Sequence, residues 1–127
     1  MPRLVKGGKW VYGWVIVGPG LALPIPPAAW REYGLQAGGE ALLLRGSRTS
    51  GGFGLANAAR ISAHLATRVL GRARFDEDGR AALPASAPVQ PGDRLLAVLG
   101  SRYALGFVAR GPIYQAATEH DEIEVFA

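Results

Sequence analysis

The segment at residues 46–53, GSRTSGGF, has a near copy at residues 100–107, GSRYALGF. The two octapeptides carry the same residue at five of their eight positions, namely Gly, Ser, Arg, Gly and Phe. Gly and Ser between apolar runs are typical of a turn that joins two strands. Such a match within a chain of 127 residues predicts an internal duplication.

The duplication continues on the N-terminal side of these turns. Residues 13–26, GWVIVGPGLALPIP, align without gaps on residues 71–84, GRARFDEDGRAALP, at an offset of 58. Alternate residues in the two arms of each segment are apolar, which is the period of a half-buried strand. These positions are Val15, Val17, Leu23 and Ile25 in the first copy and Ala73, Phe75, Ala81 and Leu83 in the second. Turn-forming residues lie in the middle of each segment, so each copy is predicted to open with a β-hairpin.

Each copy is predicted to continue with two further strands. A Gly-acid pair precedes a buried apolar run, and the Gly-Ser-Arg turn leads from that run into a last strand. In the first copy these are Gly39-Glu40, residues 41–44 and a strand ending near Ala56; in the second they are Gly92-Asp93, residues 95–99 and a strand ending near Ala109. The offset falls to 54 here because the connection PPAAWREYGL in the first copy is longer than its counterpart ASAPV.

Two helices are predicted in the first copy. Pro27 and Gly34 mark the first turn and the end of a short helix in the long connection. Asn57 can cap a second helix, which Gly71 would stop. The apolar stripe of this second helix consists of Ile61, Leu65 and Val69. Beside the stripe, Arg60, His64 and Arg68 form a basic face that is either simply solvated or meets phosphates or an acidic partner.

The second copy ends in a shorter helix and an acidic tail. The helix begins at Gly111 and runs to about His120. The tail EIEVF, residues 122–126, alternates again and indicates either an edge strand or a loose acidic end. Residues 1–118 hold 14 basic and 6 acidic groups, whereas residues 119–127 hold 4 acidic groups and no basic one. A basic body favours a polyanionic partner, and ordinary solubilising charge is the alternative.

Composition limits the class of protein. A hydrophobic content of 49% with 19% charged residues is typical of a packed globular chain. The absence of Cys excludes disulfides, thiolate zinc sites and cysteine nucleophiles, and it favours a reducing compartment. Residues 10–30 are uncharged, but several Gly and Pro residues interrupt them, so a membrane-spanning helix is not expected. We therefore expect a cytoplasmic protein without membrane association.

The repeated unit resembles the AbrB/MazE/SpoVT swapped-hairpin superfamily. The motifs that carry the resemblance are PPAAWREYGLQAGGE at residues 26–40, DEDGRAALP at residues 76–84 and VQPGDRLL at residues 89–96. In that family two such units interlock their hairpins to close one small β-barrel, which also removes exposed strand edges. The resemblance implies a mainly β fold with short helices: a pseudo-twofold swapped-hairpin barrel built from two tandem repeats, as in MraZ-like arrangements. It also implies one domain, made of repeat 1 at residues 10–70 and repeat 2 at residues 71–127, with a homodimer left open.

The family consists chiefly of DNA-binding regulators and antitoxins, so the resemblance implies binding to duplex DNA through arginines. Arginine suits this role because its guanidinium keeps its charge and binds phosphate or a guanine edge in bidentate fashion. Arg31, Arg74 and Arg80 match basic positions of the family motif, and Arg72 shares the strand face of Arg74. In the first copy Trp14, Ile16 and Leu21 replace the corresponding arginines, so this surface is expected to be asymmetric.

The repeated turn adds two further arginines. Arg48 and Arg102 can hydrogen-bond turn carbonyls or bind phosphate. The residues that we expect at a nucleic-acid interface are therefore Arg31, Arg72, Arg74, Arg80, Arg48 and Arg102. The alternative function is a protein-interaction module, in which the barrel is a scaffold and the helices or the acidic tail recruit a partner.

Catalysis is not indicated, and neither a metal nor a cofactor is expected. His64 and His120 lack companions at metal-ligand spacing. The segment SGGFG is not a phosphate-binding loop of the G-x-x-x-x-G-K-(S/T) type. The tryptophans are expected to pack in the core or at the barrel ends rather than to stack on bases. An enzyme or small-ligand barrel would require a deep polar pocket between the two copies.

Overall fold

Nine strands and two short α-helices make up the part of the chain that the computed structural model describes, which is residues 10–60, 68–101 and 103–127. The strands are β1 Val11–Ile16, β2 Ala22–Pro24, β3 Glu40–Arg45, β4 Phe53–Asn57, β5 Val69–Phe75, β6 Arg80–Ala82, β7 Arg94–Val98, β8 Ala104–Val108 and β9 Val125–Phe126. The helices are α1 Pro27–Glu32 and α2 Pro112–Ala117, and 3₁₀ turns occupy Pro19–Leu21 and Ala58–Arg60.

All nine strands belong to one sheet in the order β2-β6-β5-β3-β4-β8-β7-β1-β9. Neighbouring strands are antiparallel except β1 and β9, which are parallel. The end strand β2 approaches β1 on the far side of the sheet where β1 leads into it, and the amide of Gly18 donates to the carbonyl of Ala22 at 2.8 Å. The sheet is therefore a nearly closed barrel, and the predicted mainly β class with short helices is confirmed.

Pairing of the opening strands differs between the two halves of the chain. The predicted hairpin of the second copy is present, with Arg74 opposite Ala82 in β5 and β6. The predicted hairpin of the first copy is wrong as a paired ladder, because β1 pairs with β7 and β9 while β2 pairs with β6. The connection folds as a 3₁₀ turn in which Leu21 has a φ of +61°, and this turn separates β2 from β1.

Alternation along the strands fills the barrel interior as predicted. The alternating apolar positions of both opening segments are all buried in one cluster: Val15, Val17, Leu23, Ile25, Ala73, Phe75, Ala81 and Leu83. Phe53 and Phe107 stack in the same cluster with ring centroids 5.0 Å apart. Burial of apolar surface in this interior is the main force that holds the sheet closed.

A second apolar cluster lies on the outside of the barrel. It combines Trp14 and Val98 with Ile113 and Ala117 of α2. The helix is shorter than predicted, because main-chain bonds of the 3₁₀ type, such as that from His120 to the carbonyl of Ala117, tighten its end. The acidic tail forms the edge strand β9 along β1, which is one of the two structures that its alternation allowed.

The register of β3 and β7 corrects the pairing of the Gly-acid motifs. Glu40 lies opposite Arg74, and Arg94 lies opposite Ile16. Since Arg74 aligns with Ile16 at the offset of 58, the residue that corresponds to Glu40 is Arg94. The carboxylate of Asp93 instead closes its own turn by accepting the amide of Gln90 at 2.8 Å. The two Gly-acid pairs are therefore one residue out of step.

The repeated Gly-Ser-Arg segments also differ in length. Leu42 lies opposite Ala56, and Leu96 lies opposite Val108. If these two pairs are equivalent, the sequence offset between the two halves is 54 residues for β3 and β7 but 52 residues for β4 and β8. The first turn is longer by two residues, so the sequence match of Phe53 with Phe107 does not follow the strand register.

Of the two helices predicted in the first copy, α1 forms at the predicted place. It is followed by Gly34 at a φ of +62°. Asn57 caps the next segment as predicted, because its side-chain oxygen accepts the amide of Ala59 at 3.0 Å. Ile61 and Leu65 lie outside the described residues. Val69 begins β5, so the prediction that the helix extends to Val69 is wrong; this β-branched residue pairs with Leu44 instead.

Candidate nucleic-acid interface

Two of the predicted arginines project from the outer face of β5. Arg72 and Arg74 occupy alternate positions, and their side chains are 67% and 70% exposed. The carboxylate of Glu40 contacts both, at 2.8 Å from Nη1 of Arg72 and 3.9 Å from Nη2 of Arg74. Exposed ion pairs of this kind add little stability. Their effect is to hold two guanidinium groups side by side on one surface.

The corresponding part of β1 is covered. Trp14, which aligns with Arg72, is buried beneath α2, where the ring of Tyr114 packs edge-on at a centroid distance of 5.0 Å. The Cζ atom of Arg94 lies 4.0 Å from the centroid of the Trp14 ring, within the range of a cation–π contact. The contact between Trp14 and Arg94 in the β1–β7 ladder therefore corresponds in position to the ion pair between Arg72 and Glu40 in the β5–β3 ladder.

Arg80 lies at the turn between β5 and β6. Its amide donates to Oδ1 of Asp76 at 3.0 Å, and the same oxygen accepts the amide of Asp78 at 2.8 Å. The guanidinium Nη2 donates to the main-chain oxygen of Ala127 at 3.0 Å. One of its donors is therefore already used within the chain.

Arg31 lies in α1 beside the same turn. It lines a shallow cavity of about 520 Å³ together with Glu77 and Asp78. Glu77 and Asp78 of the turn thus line the same cavity as Arg31. The β5 arginines instead form their ion pairs with Glu40.

The arginine of the first repeated turn lies apart from the other candidates. Arg48 follows the end of β3 that lies beside Val69, whereas the turn that carries Arg80 follows the other end of β5. Arg48 is exposed, and its carbonyl accepts Nη2 of Arg110 at 2.8 Å. Arg102 lies outside the described residues. The structure therefore brings Arg72 and Arg74 into one contact with Glu40 and keeps Arg48 at a distance from them.

Further arginines, not among the sequence candidates, have structural partners. Arg110 binds the carbonyl of Arg48, Arg68 donates to the carbonyl of Arg45 at 2.8 Å, and Arg94 stacks on Trp14. The duplication gives no signal for Arg45, because its counterpart at an offset of 54 is the apolar Leu99. The predicted basic face consisted of Arg60, His64 and Arg68; Arg60 is exposed, and His64 lies outside the described residues.

Helix α1 braces the second Gly-Ser-Arg turn. The hydroxyl of Tyr33 lies 2.9 Å from the carbonyl oxygen of Ser101 and 3.0 Å from that of Ala104. The side chain of Asn57 holds the end of the same helix, because its Nδ2 donates to the carbonyls of Tyr33 and Gly34 at 3.1 Å. Burial raises the pKa of the Tyr33 hydroxyl far above its usual value. The hydroxyl is thus kept as a neutral donor.

The remaining aromatic residues are mostly used in packing. Trp30 of α1 meets Phe75 edge-on at a centroid distance of 5.4 Å. Trp14 is buried, and Trp10 is 39% exposed. The positions of Trp14 and Trp30 agree with the prediction that the tryptophans pack in the core or at the barrel ends, whereas Trp10 does not follow it.

His120 pairs with an acidic residue of the tail. Its Nδ1 lies 2.7 Å from Oε1 of Glu122. A hydrogen bond from its own main chain, followed by the bond from His120, lowers the pKa of the Glu122 carboxyl. Within the described residues, no three His, Asp or Glu side chains are grouped so as to hold a metal ion.

The chain matches no protein-family model, no curated protein and no solved structure. No helix among residues 10–60, 68–101 and 103–127 has both the length and the apolar character needed to span a bilayer.

Proposed function

We propose that the chain is a tandem-duplicated, AbrB-like swapped-hairpin barrel that binds duplex DNA as a small transcriptional regulator or antitoxin-like factor. Support for this fold comes from the exchange of strands between the two halves. Strand β1 of the first half pairs with β7 of the second, and β5 of the second half pairs with β3 of the first. The pairs of Ile16 with Arg94 and of Arg74 with Glu40 occupy equivalent places in the two ladders.

Main-chain bonds at the start of β3 and β7 support the same proposal. In one half the amide of Gly38 binds the carbonyl of Phe75, and the amide of Phe75 binds the carbonyl of Gly39, at 2.8 and 3.0 Å. In the other half Gly92 binds Val17, and Val17 binds Asp93, at 2.7 and 2.9 Å. Gly38 and Gly92 both have positive φ angles, of +81° and +92°, which glycine adopts without strain. Two copies of one structural unit, each completed by the other, would produce this correspondence.

The observation that carries DNA binding is the outward pair of Arg72 and Arg74. Two exposed guanidiniums on alternate residues of one strand can contact successive phosphates or a base edge. Residues 1–118 contribute a formal charge of +8 from 14 basic and 6 acidic groups, which would draw a polyanion toward this surface. In this proposal Glu40 fixes both side chains in the free protein and is displaced by phosphate when DNA binds.

A titration of fluorescent duplex DNA at two salt concentrations tests the proposal. The unchanged chain is expected to bind with micromolar affinity at low salt, and the affinity should fall steeply as salt rises. The double variant Arg72→Ala/Arg74→Ala should bind about tenfold or more weakly, and the slope of log affinity against log salt should decrease by about 2, because two phosphate contacts are lost. The variant Glu40→Gln should bind more tightly, because it removes the competing carboxylate.

A matched control removes the same charge elsewhere. Arg45 and Arg60 are exposed and lie outside the proposed interface, so Arg45→Gln/Arg60→Gln should retain most of the affinity. An equal loss in both double variants would mean that only net charge matters and would contradict the proposed interface. The proposal of DNA binding fails if the unchanged chain forms no complex at low salt.

The alternative of a protein-interaction module receives less support. Helix α2 packs its apolar side on Trp14, and the acidic tail pairs with β1 through Val125 and Phe126. Both elements are thus already engaged within the chain.

A further inference from the structure

A groove crosses the outer surface of the sheet where β4 and β8 pair. Gly54 lies directly opposite Gly106 in this pair, so the floor of the groove is main chain without side chains. Leu44 of β3 and Val98 of β7 line its two sides. The cavity has a volume of about 460 Å³. Pockets for small molecules commonly fall between roughly 300 and 1,000 Å³.

Three arginines line this groove: Arg45, Arg68 and Arg110. Nη2 of Arg68 is bound to the carbonyl of Arg45, and Nη2 of Arg110 is bound to that of Arg48, each at 2.8 Å. A guanidinium has five N–H donors, so each anchored group keeps most of its donors for another partner. None of the described lining residues is acidic, in contrast to β5, where Glu40 contacts both arginines.

The loop at residues 46–52, which follows Arg45, is held in place by hydrogen bonds. The amide of Ala109 donates to the carbonyl of Ser50 at 2.9 Å, which ties the loop to the end of β8. The hydroxyls of Ser47 and Ser50 lie 2.6 Å apart and belong to the lining. Hydroxyls next to guanidinium groups add donors suited to a phosphate oxygen. The two serines and the guanidinium groups of Arg68 and Arg110 are therefore held in place without a ligand.

We infer that this groove binds a small phosphate monoester attached to a planar ring, which is the chemistry of a mononucleotide. The phosphate lies against the arginines, because three guanidiniums without a carboxylate suit a doubly charged oxyanion that accepts paired N–H bonds. The ring lies on the Gly54–Gly106 floor, where the lack of side chains allows a flat group to approach the main chain.

This site goes beyond the proposed DNA binding. It uses none of the arginines of β5, and it lies between the two halves of the chain.

Calorimetric titration with adenosine 5′-monophosphate, phenyl phosphate and inorganic phosphate tests the inference. One molecule of each ring-bearing ester is expected per chain, bound about tenfold more tightly than inorganic phosphate, because the ring buries apolar area. Arg45→Gln should weaken all three ligands about tenfold, as expected for the loss of one charged hydrogen bond. Gly54→Val should weaken only the two ring-bearing esters.

The variants are chosen so that the fold is retained. A Cβ atom at Gly54 would lie 3.4 Å from the carbonyl oxygen of Leu105, at the short limit of ordinary contact, so the melting temperature of Gly54→Val is measured first. The Arg45 guanidinium has no hydrogen bond to the described residues that its loss would break. Arg31→Gln is the matched control, because it removes one charge on α1, outside the groove, and should leave all three affinities unchanged. Melting temperatures near that of the unchanged chain establish that each variant is folded.

Four results would overturn the inference. These are no saturable binding of adenosine monophosphate at millimolar concentration, equal affinity for phenyl phosphate and inorganic phosphate, equal effects of Arg31→Gln and Arg45→Gln, or ester binding unchanged by Gly54→Val. Duplex DNA distinguishes this inference from the proposed function. Gly54→Val should leave DNA affinity unchanged, and a loss of DNA affinity in this variant without any ester binding would assign the groove to DNA instead.

Discussion

At the scale of single residues, two tyrosine hydroxyls have opposite environments. The hydroxyl of Tyr33 lies within hydrogen-bond distance of the carbonyls of Ser101 and Ala104. The hydroxyl of Tyr12 is buried and has no hydrogen-bond partner among the described residues. Burial, followed by the negative charge of Glu32, raises the pKa of Tyr12. A buried hydroxyl without a partner costs free energy, whereas one that bridges two elements stabilises them.

Replacing each tyrosine by phenylalanine is expected to change stability in opposite directions. Tyr33→Phe removes the hydroxyl that lies within hydrogen-bond distance of the carbonyls of Ser101 and Ala104, and it should lower the free energy of unfolding by about 1 kcal/mol. Tyr12→Phe removes an unpaired polar atom and should raise it by up to about 1 kcal/mol. Urea unfolding of both variants measures the difference. A loss of stability in Tyr12→Phe equal to that in Tyr33→Phe would contradict the two environments.

At the scale of elements, β9 covers an edge of β1 that would otherwise be open. The amide of Trp14 donates to the carbonyl of Glu124 at 2.8 Å, and Val15 pairs with Phe126. This contact depends on Gly13, because a Cβ atom there would lie 2.7 Å from Cε2 of Phe126 and 2.8 Å from the carbonyl oxygen of Glu124. Glycine is therefore required for the tail to approach the strand.

Gly13→Ala is expected to release β9 while β1 remains paired with β7. Loss of the tail contacts should cost about 1–3 kcal/mol, as for other substitutions that overfill a packed site. Hydrogen exchange gives the sharper measurement, because the Trp14 amide would lose its acceptor and exchange faster, while the Val15–Leu95 ladder stays protected. Unchanged exchange at Trp14 would show that β9 tolerates the added methyl group.

The sequence predicted elements better than it predicted their partners. Alternation placed Val15 and Val17 in the interior, and that burial is the same whether β1 pairs with β2 or with β7. The alternating pattern therefore could not show which strand pairs with β1, and the first hairpin was predicted wrongly. The sequence pattern did not reveal the strand register either. The second Gly-acid pair is one residue out of step with the first, and Glu40 occupies the register position that Arg94 has in the other ladder.

At the scale of the whole molecule, the sequence indicated a basic body but not its arrangement. Glu40 is 32 residues from Arg72 along the chain, and only the pairing of β3 with β5 brings them together. The groove depends on similar long-range contacts. Arg68, which follows β4, donates to the carbonyl of Arg45, and Arg110, which follows β8, donates to the carbonyl of Arg48. Contacts of this kind are determined by the strand topology, which local sequence patterns do not reveal.

We propose that DNA binds to the outer face of β5 and β3. Amide and guanidinium NMR shifts of the labelled protein, recorded during titration with duplex DNA, test it most directly. We expect the largest changes at Arg72, Arg74 and Glu40, and we expect them to saturate with added DNA. Changes spread evenly over all arginines, or changes confined to another surface while β5 stays unaffected, would contradict it.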